Sequence, residues 1–409
     1  MEILYPRCAG LDVHKESVMA CVLTPGPEAE PNKEIQEFGT TTGELRRLCD
    51  WLHANGVTHA AMESTGVYWK PVFNILESAC ELILVNARHI KQVPGRKTDK
   101  ADCAWIASLL RHGLLEASFV PEPEVRQLRD LCRMRTTLVR ECVQVGNRLR
   151  KVLEDANIKL DSVASDALGV SGRDMIMALV QGRNDPAELA ELARGRLRAK
   201  LPELEQALEG QVTAHHRFLL RELMRQLAFL EGQVARFEQE IQRHMSPFEW
   251  AAGLLMTMPG VDRTAACALL AEIGADMRHF ASSRHLASWA GLCPGNDESA
   301  GKRRSAKSHR GNRWIKGVMT EIAWAATRKK NSYSAAQYRK LAGHRGKKRA
   351  LVAVANSLLQ AVWHMLAHRQ SYTDLGPDYY ERLNRKALER SLIRRLEKLG
   401  HKVILEPAA

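Results

Sequence analysis

Cys8-Ala9-Gly10-Leu11-Asp12-Val13, near the start of a 409-residue chain, reads as a short apolar strand carrying one carboxylate close to its end. The polar turn His14-Lys15-Glu16-Ser17 follows, and residues 18–23 read as a second strand. A third is expected around 35–38. Thr41 and Thr42 precede a helical stretch over 43–55, with Leu45, Leu48, Trp51 and Leu52 on one face. Residues 57–62 then form a strand that delivers Glu63. A helix over 68–80, a strand over 82–85 and a basic loop with Arg88, Lys91, Arg96 and Lys97 lead to a last helix near 98–112.

Three strands, helix, strand, helix, strand, helix is the element order of an α/β ribonuclease-H-like fold. Asp12 and Glu63 end apolar runs. Asp99 and Asp102, in Lys-Thr-Asp-Lys-Ala-Asp, stand three apart and share one helix face. Each has an ordinary structural reading: Asp12 as a turn residue, Glu63 as a cap, Asp99 as a dipole complement and Asp102 as its solvated neighbour. Their joint placement favours a shared role. Four converging carboxylates repel one another unless cations or protons offset the charge. Oxygen-only ligands suit Mg²⁺ or Mn²⁺, and two such ions about 4 Å apart serve phosphodiester transfer.

The composition points the same way. A formal net charge of +13 and a pI near 9.4 favour a polyanionic partner, although a membrane-surface protein would share that balance. Residues 1–10 lack a secretory pattern, and no uninterrupted apolar run is long enough to span a bilayer, so a cytoplasmic chain without a membrane partner is expected. The nine cysteines form no Cys-x-x-Cys pair and no Cys/His cluster at zinc spacing, which predicts neither structural zinc nor a disulfide framework.

Beyond residue 125 the apolar period changes to heptads. One seam runs from Leu128 through Leu138 and Leu149 to Val152, with Arg135 among its positions, and a second from Leu220 through Leu227 and Leu230 to Ile241. The two helices can pack on each other or on another subunit; oligomerisation is the favoured expectation. Met258-Pro259-Gly260-Val261 before an apolar helix resembles a helix-hairpin-helix turn, which offers backbone amides to phosphate, although an ordinary helix-helix turn reads the same. Residues 301–350 hold many Lys and Arg and a single acidic residue, Glu321, interleaved with Trp314, Trp324, Tyr333 and Tyr338, a pattern suited to nucleic acid. An apolar helix over 351–368 and a charged one over 377–399 follow.

The motifs Glu63-Ser64-Thr65-Gly66-Val67-Tyr68 and Lys97-Thr98-Asp99-Lys100-Ala101-Asp102, with Ala290-Gly291-Leu292-Cys293-Pro294 and Glu298-Ser299-Ala300-Gly301-Lys302, resemble the DEDD-type insertion-sequence transposases, the family that includes bridge-RNA-guided recombinases. No departure is seen at these positions. The resemblance implies a RuvC-like N-terminal domain whose catalytic, metal-binding carboxylates are Asp12, Glu63, Asp99 and Asp102. It also implies a C-terminal domain whose Ser299 joins covalently to cut DNA. The partners it implies are element-end and target DNA, a structured guide RNA and further copies of the chain in a bacterial, nucleoid-associated setting.

From the residues alone Ser299 reads as a loop serine, since no His-Asp pair accompanies it. Lys302, Arg303, Arg304, Lys307, Arg310, Arg313 and Lys316 around it would hold phosphate, or form a solvated basic loop. Activation of that serine by the distant acidic site would require the two domains to meet. The expected division is 1–124 for the RuvC-like domain, 125–246 for a coiled-coil region, 247–370 for a mainly α serine-bearing domain and 371–409 for a charged helix and tail. The competing readings are a water-using Holliday-junction endonuclease, a non-catalytic nucleic-acid scaffold and a sugar-kinase-like ATPase. The last lacks its Gly-rich phosphate loops.

Overall fold

The computed structural model describes residues 2–27, 30–64, 66–86, 102–295, 297–299, 302–305, 308, 310–383 and 385–404; for 297–299, 302–305, 386–388 and 391 the backbone alone is described. The chain divides into two compact units, 1–120 and 121–409.

The first unit is built on a five-stranded sheet of order β3-β2-β1-β4-β5. Its strands are β1 (Cys8–Val13), β2 (Ser17–Pro25), β3 (Pro31–Gly39), β4 (His59–Glu63) and β5 (Glu81–Val85). β1 pairs antiparallel with β2 and parallel with β4, and β4 pairs parallel with β5. The sheet is mixed because the first three strands are joined by short turns, whereas β4 and β5 are each reached through a helix.

Among the described residues its helices are α1 (Thr42–Ala54), α2 (Trp69–Leu76) and α3 (Asp102–Arg111). Strand alternation sends Ala9, Leu11 and Val13 to the core shared with Leu45, Leu48 and Leu52 of α1 and Val72, Phe73 and Leu76 of α2. The opposite parity sends Cys8, Cys21 and Ala61 to a second core with Cys103, Ile106, Ala107 and Leu110 of α3.

Gly10 allows α3 to lie this close. A Cβ built there would stand 2.1 Å from the Cys103 carbonyl oxygen and 2.4 Å from the Ala107 nitrogen, both helix backbone that cannot swing aside. Gly10→Ala is therefore expected to push α3 off the sheet and destabilise the protein by about 1–3 kcal/mol, as an overpacked core does. Chemical denaturation of the full chain measures this; an unchanged midpoint would contradict the close approach.

Several boundaries differ from the sequence expectation. β3 spans nine residues rather than the four around 35–38. It is an edge strand whose Lys33, Glu34 and Glu37 are exposed, so it lacks the apolar alternation of a half-buried strand while its charges guard the open edge. β4 starts at His59 because the Val57 nitrogen donates to Leu52 and the Thr58 nitrogen to Arg7, which closes α1 and turns the chain. The helix expected over 68–80 is confined to Trp69–Leu76. Of the helix near 98–112, Asp102–Arg111 is present, and Thr98 to Ala101 lie outside the described residues.

The second unit is almost wholly helical. Its longest helices are α4 (Pro123–Asp155) and α5 (Ala214–His244), started by a proline in the first turn and by a Thr213–His216 capping box respectively. They pack together antiparallel, since Arg135 bonds Glu238 at 2.6 Å while Asp155, farther along α4, meets His216, earlier on α5, at 3.0 Å. Leu138, Val145 and Leu149 share one core with Leu220, Leu227 and Leu230. The two heptad seams thus meet within one chain, the first of the two packings that the sequence left open. Arg135 at its seam position is held by Glu238 across the pair.

Around the following segment stand α6 (Glu249–Leu255), α7 (Arg263–Ile273), α8 (Ser283–Trp289), the hairpin β6 (Asp297–Ser299) and β7 (Lys302–Ser305), α9 (Arg313–Arg328), α10 (Tyr333–Arg345) and α11 (Lys347–His368). α11 is, by length and mean composition, apolar enough to cross a membrane, although Asn356, Ser357, Gln360 and His364 interrupt its apolar run. Its apolar face is occupied by packing: Val354, Leu358, Leu359 and Val362 are buried, and it contacts α6, α8, α9 and α10. The charged helix expected over 377–399 is two pieces, Tyr379–Leu383 and Arg385–Lys398.

Candidate functional site

Strand parity builds the acidic site. Asp12 shares the face of Cys8 and Gly10, and Glu63 that of Ala61, so both lie on the side that α3 covers. The parallel register Leu11↔Met62 brings the ends of β1 and β4 level. Asp102 is the first described residue of α3. These three meet electrostatically: burial pushes the Asp12 carboxyl above its ordinary value, and the charges of Asp102 and Glu63 push it in the same direction.

His14 opposes them with its Nε2 3.2 Å from Asp12 Oδ2, held by a turn in which the His14 nitrogen donates to the Ser17 carbonyl. Asp99, the fourth expected carboxylate, lies outside the described residues. Among the described residues no three His, Cys, Asp or Glu side chains close into a ready-made metal cage. The donor chemistry nevertheless fits a hard divalent cation: Asp12, Glu63 and Asp102 offer only carboxylate oxygen, and the burial that raises Asp12, with the added charges of Asp102 and Glu63, is a penalty that a cation would offset.

Ser299 and Lys302 are Cα partners in the β6–β7 hairpin, and Glu298 pairs with Arg303. A hairpin here was not expected, because a short charged strand carries no apolar alternation. Of the expected basic residues, Lys302, Arg303 and Arg304 ride on β7, Arg310 and Arg313 are exposed, Lys316 donates to Ser308 Oγ at 3.0 Å, and Lys307 lies outside the described residues.

The guanidiniums of Arg133, Arg140 and Arg313 stand 5.5, 5.2 and 5.0 Å from the Trp314 ring. Trp324 is 45% exposed beside Arg328 and Tyr338, whereas Tyr333 is spent on packing against Tyr379 and Tyr380. Residues 343–349, Gly-His-Arg-Gly-Lys-Lys-Arg, are all exposed at the α10–α11 turn. The Gly260 turn has φ +85°, and a Cβ there would meet the Ile322 carbonyl at 2.5 Å, so it leans on α9.

Sequence reasoning missed Gly10, and it missed Glu272 and Asn312. Glu272 in Ala-Leu-Leu-Ala-Glu-Ile is a charge within an apolar run, and that was the available signal.

The chain thus carries a mixed-sheet α/β unit in which Asp12, Asp102 and Glu63 act on one another, followed by a helical unit with exposed Lys and Arg side chains. Two family models match the chain: one of DEDD type, described as "Transposase", over residues 9–158, and one described as "Transposase IS116/IS110/IS902 family" over 252–339. The chain belongs to the IS110-type DEDD transposases of insertion sequences.

Its relatives include the "Probable family 20 transposase" of Pseudomonas aeruginosa, 27% identical over 76% of this chain and 85% of that protein. The "Insertion element IS110 uncharacterized 43.6 kDa protein" of Streptomyces coelicolor is 25% identical over 90% and 96%. The "Transposase for insertion sequence element IS1111A" of Coxiella burnetii is 21% identical over 90% and 91%.

Proposed function

We propose that the protein excises and inserts its element by cutting and rejoining DNA through a Ser299-linked intermediate, assisted by an acidic centre of Asp12, Glu63, Asp99 and Asp102. The observation that carries this reading is Asp12: a strand-borne carboxylate raised by burial and facing Asp102 and Glu63. The sheet order 3-2-1-4-5, with its first three strands antiparallel, supports a ribonuclease-H-like, RuvC-like unit around it. A divalent cation, Mg²⁺ or Mn²⁺, supplies Lewis-acid stabilisation of the attacking and leaving oxygens when bound.

In the covalent step Ser299 Oγ forms a bond to phosphorus as one backbone P–O bond breaks. The hydroxyl proton passes to a general base or water, and the leaving oxygen takes up a proton. Rejoining runs the same exchange in reverse, so the bond energy is conserved and no hydrolysis is needed. Lys302, Arg303, Arg304, Lys307, Arg310, Arg313 and Lys316 hold the phosphate and offset the charge that develops on it. Target choice is assigned to a structured RNA on the basic face, and joining two DNA sites to a dimer or tetramer, in the bacterial cytoplasm. The finer division at 125–246, 247–370 and 371–409 belongs to the same proposal.

The test is a denaturation-resistant protein–DNA adduct formed on nicked element-end DNA with Mg²⁺ and the element's RNA. Its appearance supports the reading, and efficient cutting without an adduct would favour a water-using endonuclease. A separate prediction concerns the exposed turn. Replacing Lys347, Lys348 and Arg349 with Gln is expected to make the salt dependence of nucleic-acid binding shallower by about 2–3 in the log–log slope. An unchanged slope from filter binding across a salt series would remove that turn from the interface.

A further inference from the structure

Glu272 is 3% exposed on α7, and a buried carboxylate is tolerated only when its acceptors are engaged. Here they are. Arg133 Nε donates to Oε1 at 2.7 Å and Arg133 Nη2 to Oε2 at 2.8 Å, while Asn312 Nδ2 donates to Oε2 at 2.6 Å. Arg129 adds bonds to the Ala271 and Glu272 carbonyls at 3.0 and 2.8 Å, which tie α4 to the last turn of α7.

The other end of Asn312 faces α9. Its Oδ1 accepts from the Trp314 and Ile315 nitrogens at 2.9 and 3.3 Å, as the N-cap of that helix. One residue earlier, Gly311 has φ +53°, and a Cβ there would lie 2.4 Å from the Gly291 nitrogen and 2.5 Å from the Ala290 carbonyl carbon. The chain therefore crosses itself, backbone on backbone, between 290–291 and 311–312. The hairpin bearing Ser299 is inserted between these two points. Asn356 Nδ2 reaches Cys293 Sγ at 3.4 Å on the entering side.

A well-packed apolar group in place of a buried ion pair is often equally stabilising, so burial of Glu272 is better explained by what it orients. We propose that Glu272, acting through Asn312, is a positioning residue that fixes the neck of the Ser299 hairpin and so the direction in which the hairpin leaves the helical unit. The inference rests on the reading of Ser299 for its effect on rate, though not for its effect on the hairpin.

Glu272→Gln and Asn312→Asp each oppose the link, the first by leaving a single carbonyl acceptor for Arg133 and Asn312 and setting an amide donor against them, the second by setting two carboxylates together. The double variant restores it with polarity reversed, an amide donor now facing a carboxylate. Asn312→Ser keeps an N-cap oxygen and loses only the bond to Glu272, so it reports on the link where the other single variants fold poorly.

Each single variant is expected to form the adduct about tenfold more slowly at saturating DNA, with affinity within about twofold, and the double variant to recover most of that rate. In parallel, amide hydrogen exchange over 297–305 should quicken in the single variants and return in the double. Wild-type exchange in Asn312→Ser, or a double variant no better than the singles, would overturn the proposal. Continued adduct formation or cutting in Ser299→Ala would overturn the serine reading instead, leaving the exchange result to decide the neck.

Discussion

Ser299→Ala is expected to abolish the covalent protein–DNA adduct and to reduce strand exchange by ~10³-fold or more, the usual scale for removing a nucleophile. Binding of element-end DNA should be nearly unchanged, because a hydroxyl adds little to a surface dominated by Lys and Arg charge. The hairpin should also survive, since β6–β7 pairing runs through backbone groups that the substitution leaves intact. Gel separation of adduct from free protein, together with filter binding, separates the two effects. Loss of binding in parallel with cutting would mean that the serine holds the hairpin rather than the DNA.

Asp12→Asn is the second large effect, and its two consequences have opposite signs. Cutting should fall by ~10³-fold if Asp12 holds a cation as proposed, since the loss of one carboxylate would remove several kcal/mol of transition-state stabilisation. Stability without metal should instead rise, by about 1 kcal/mol, because a desolvated charge facing Asp102 and Glu63 is removed.

The pH dependence follows from the raised folded-state pKa. Above its raised folded-state value Asp12 is ionised, and its charge opposes folding. As pH falls through that raised value the carboxyl takes up its proton and the penalty shrinks, and it has vanished below the ordinary aspartate range. The advantage of Asp12→Asn should therefore be present at pH 7 and fade on acidification. Added Mg²⁺ should raise the melting temperature of the wild-type protein more than that of the variant. A variant less stable than wild type at pH 7 would argue that Asp12 is a structural hydrogen-bond acceptor.

The central strand is legible because alternation of period two survives in Ala9, Leu11 and Val13, and the opposite parity assigns Asp12, with Glu63 of β4, to the other face. What brings Asp102 to that face is not legible in the same way. It depends on Gly10 receiving the backbone of Cys103 and Ala107, a contact between residues more than ninety positions apart that no local period encodes. The edge strand β3 is underread because solvent, not core, faces most of its side chains.

The heptads of α4 and α5 announce two long helices but not their partner. The Arg135–Glu238 and Asp155–His216 pairs, far apart in sequence, show that each helix partners the other. Likewise Ser299 reads as a loop serine from its neighbours alone. Its hairpin pairs residues close in sequence but carries no apolar alternation to announce it, whereas the Glu272–Asn312 bond joins residues 40 positions apart.

The most direct test of the account is to isolate the adduct from wild-type protein, digest both protein and DNA, and identify by mass spectrometry the peptide carrying a nucleotide remnant. The account predicts a phosphodiester on Ser299, within the segment from Asp297 to Ser305. A remnant on any other residue, or efficient strand exchange that leaves none, would contradict it.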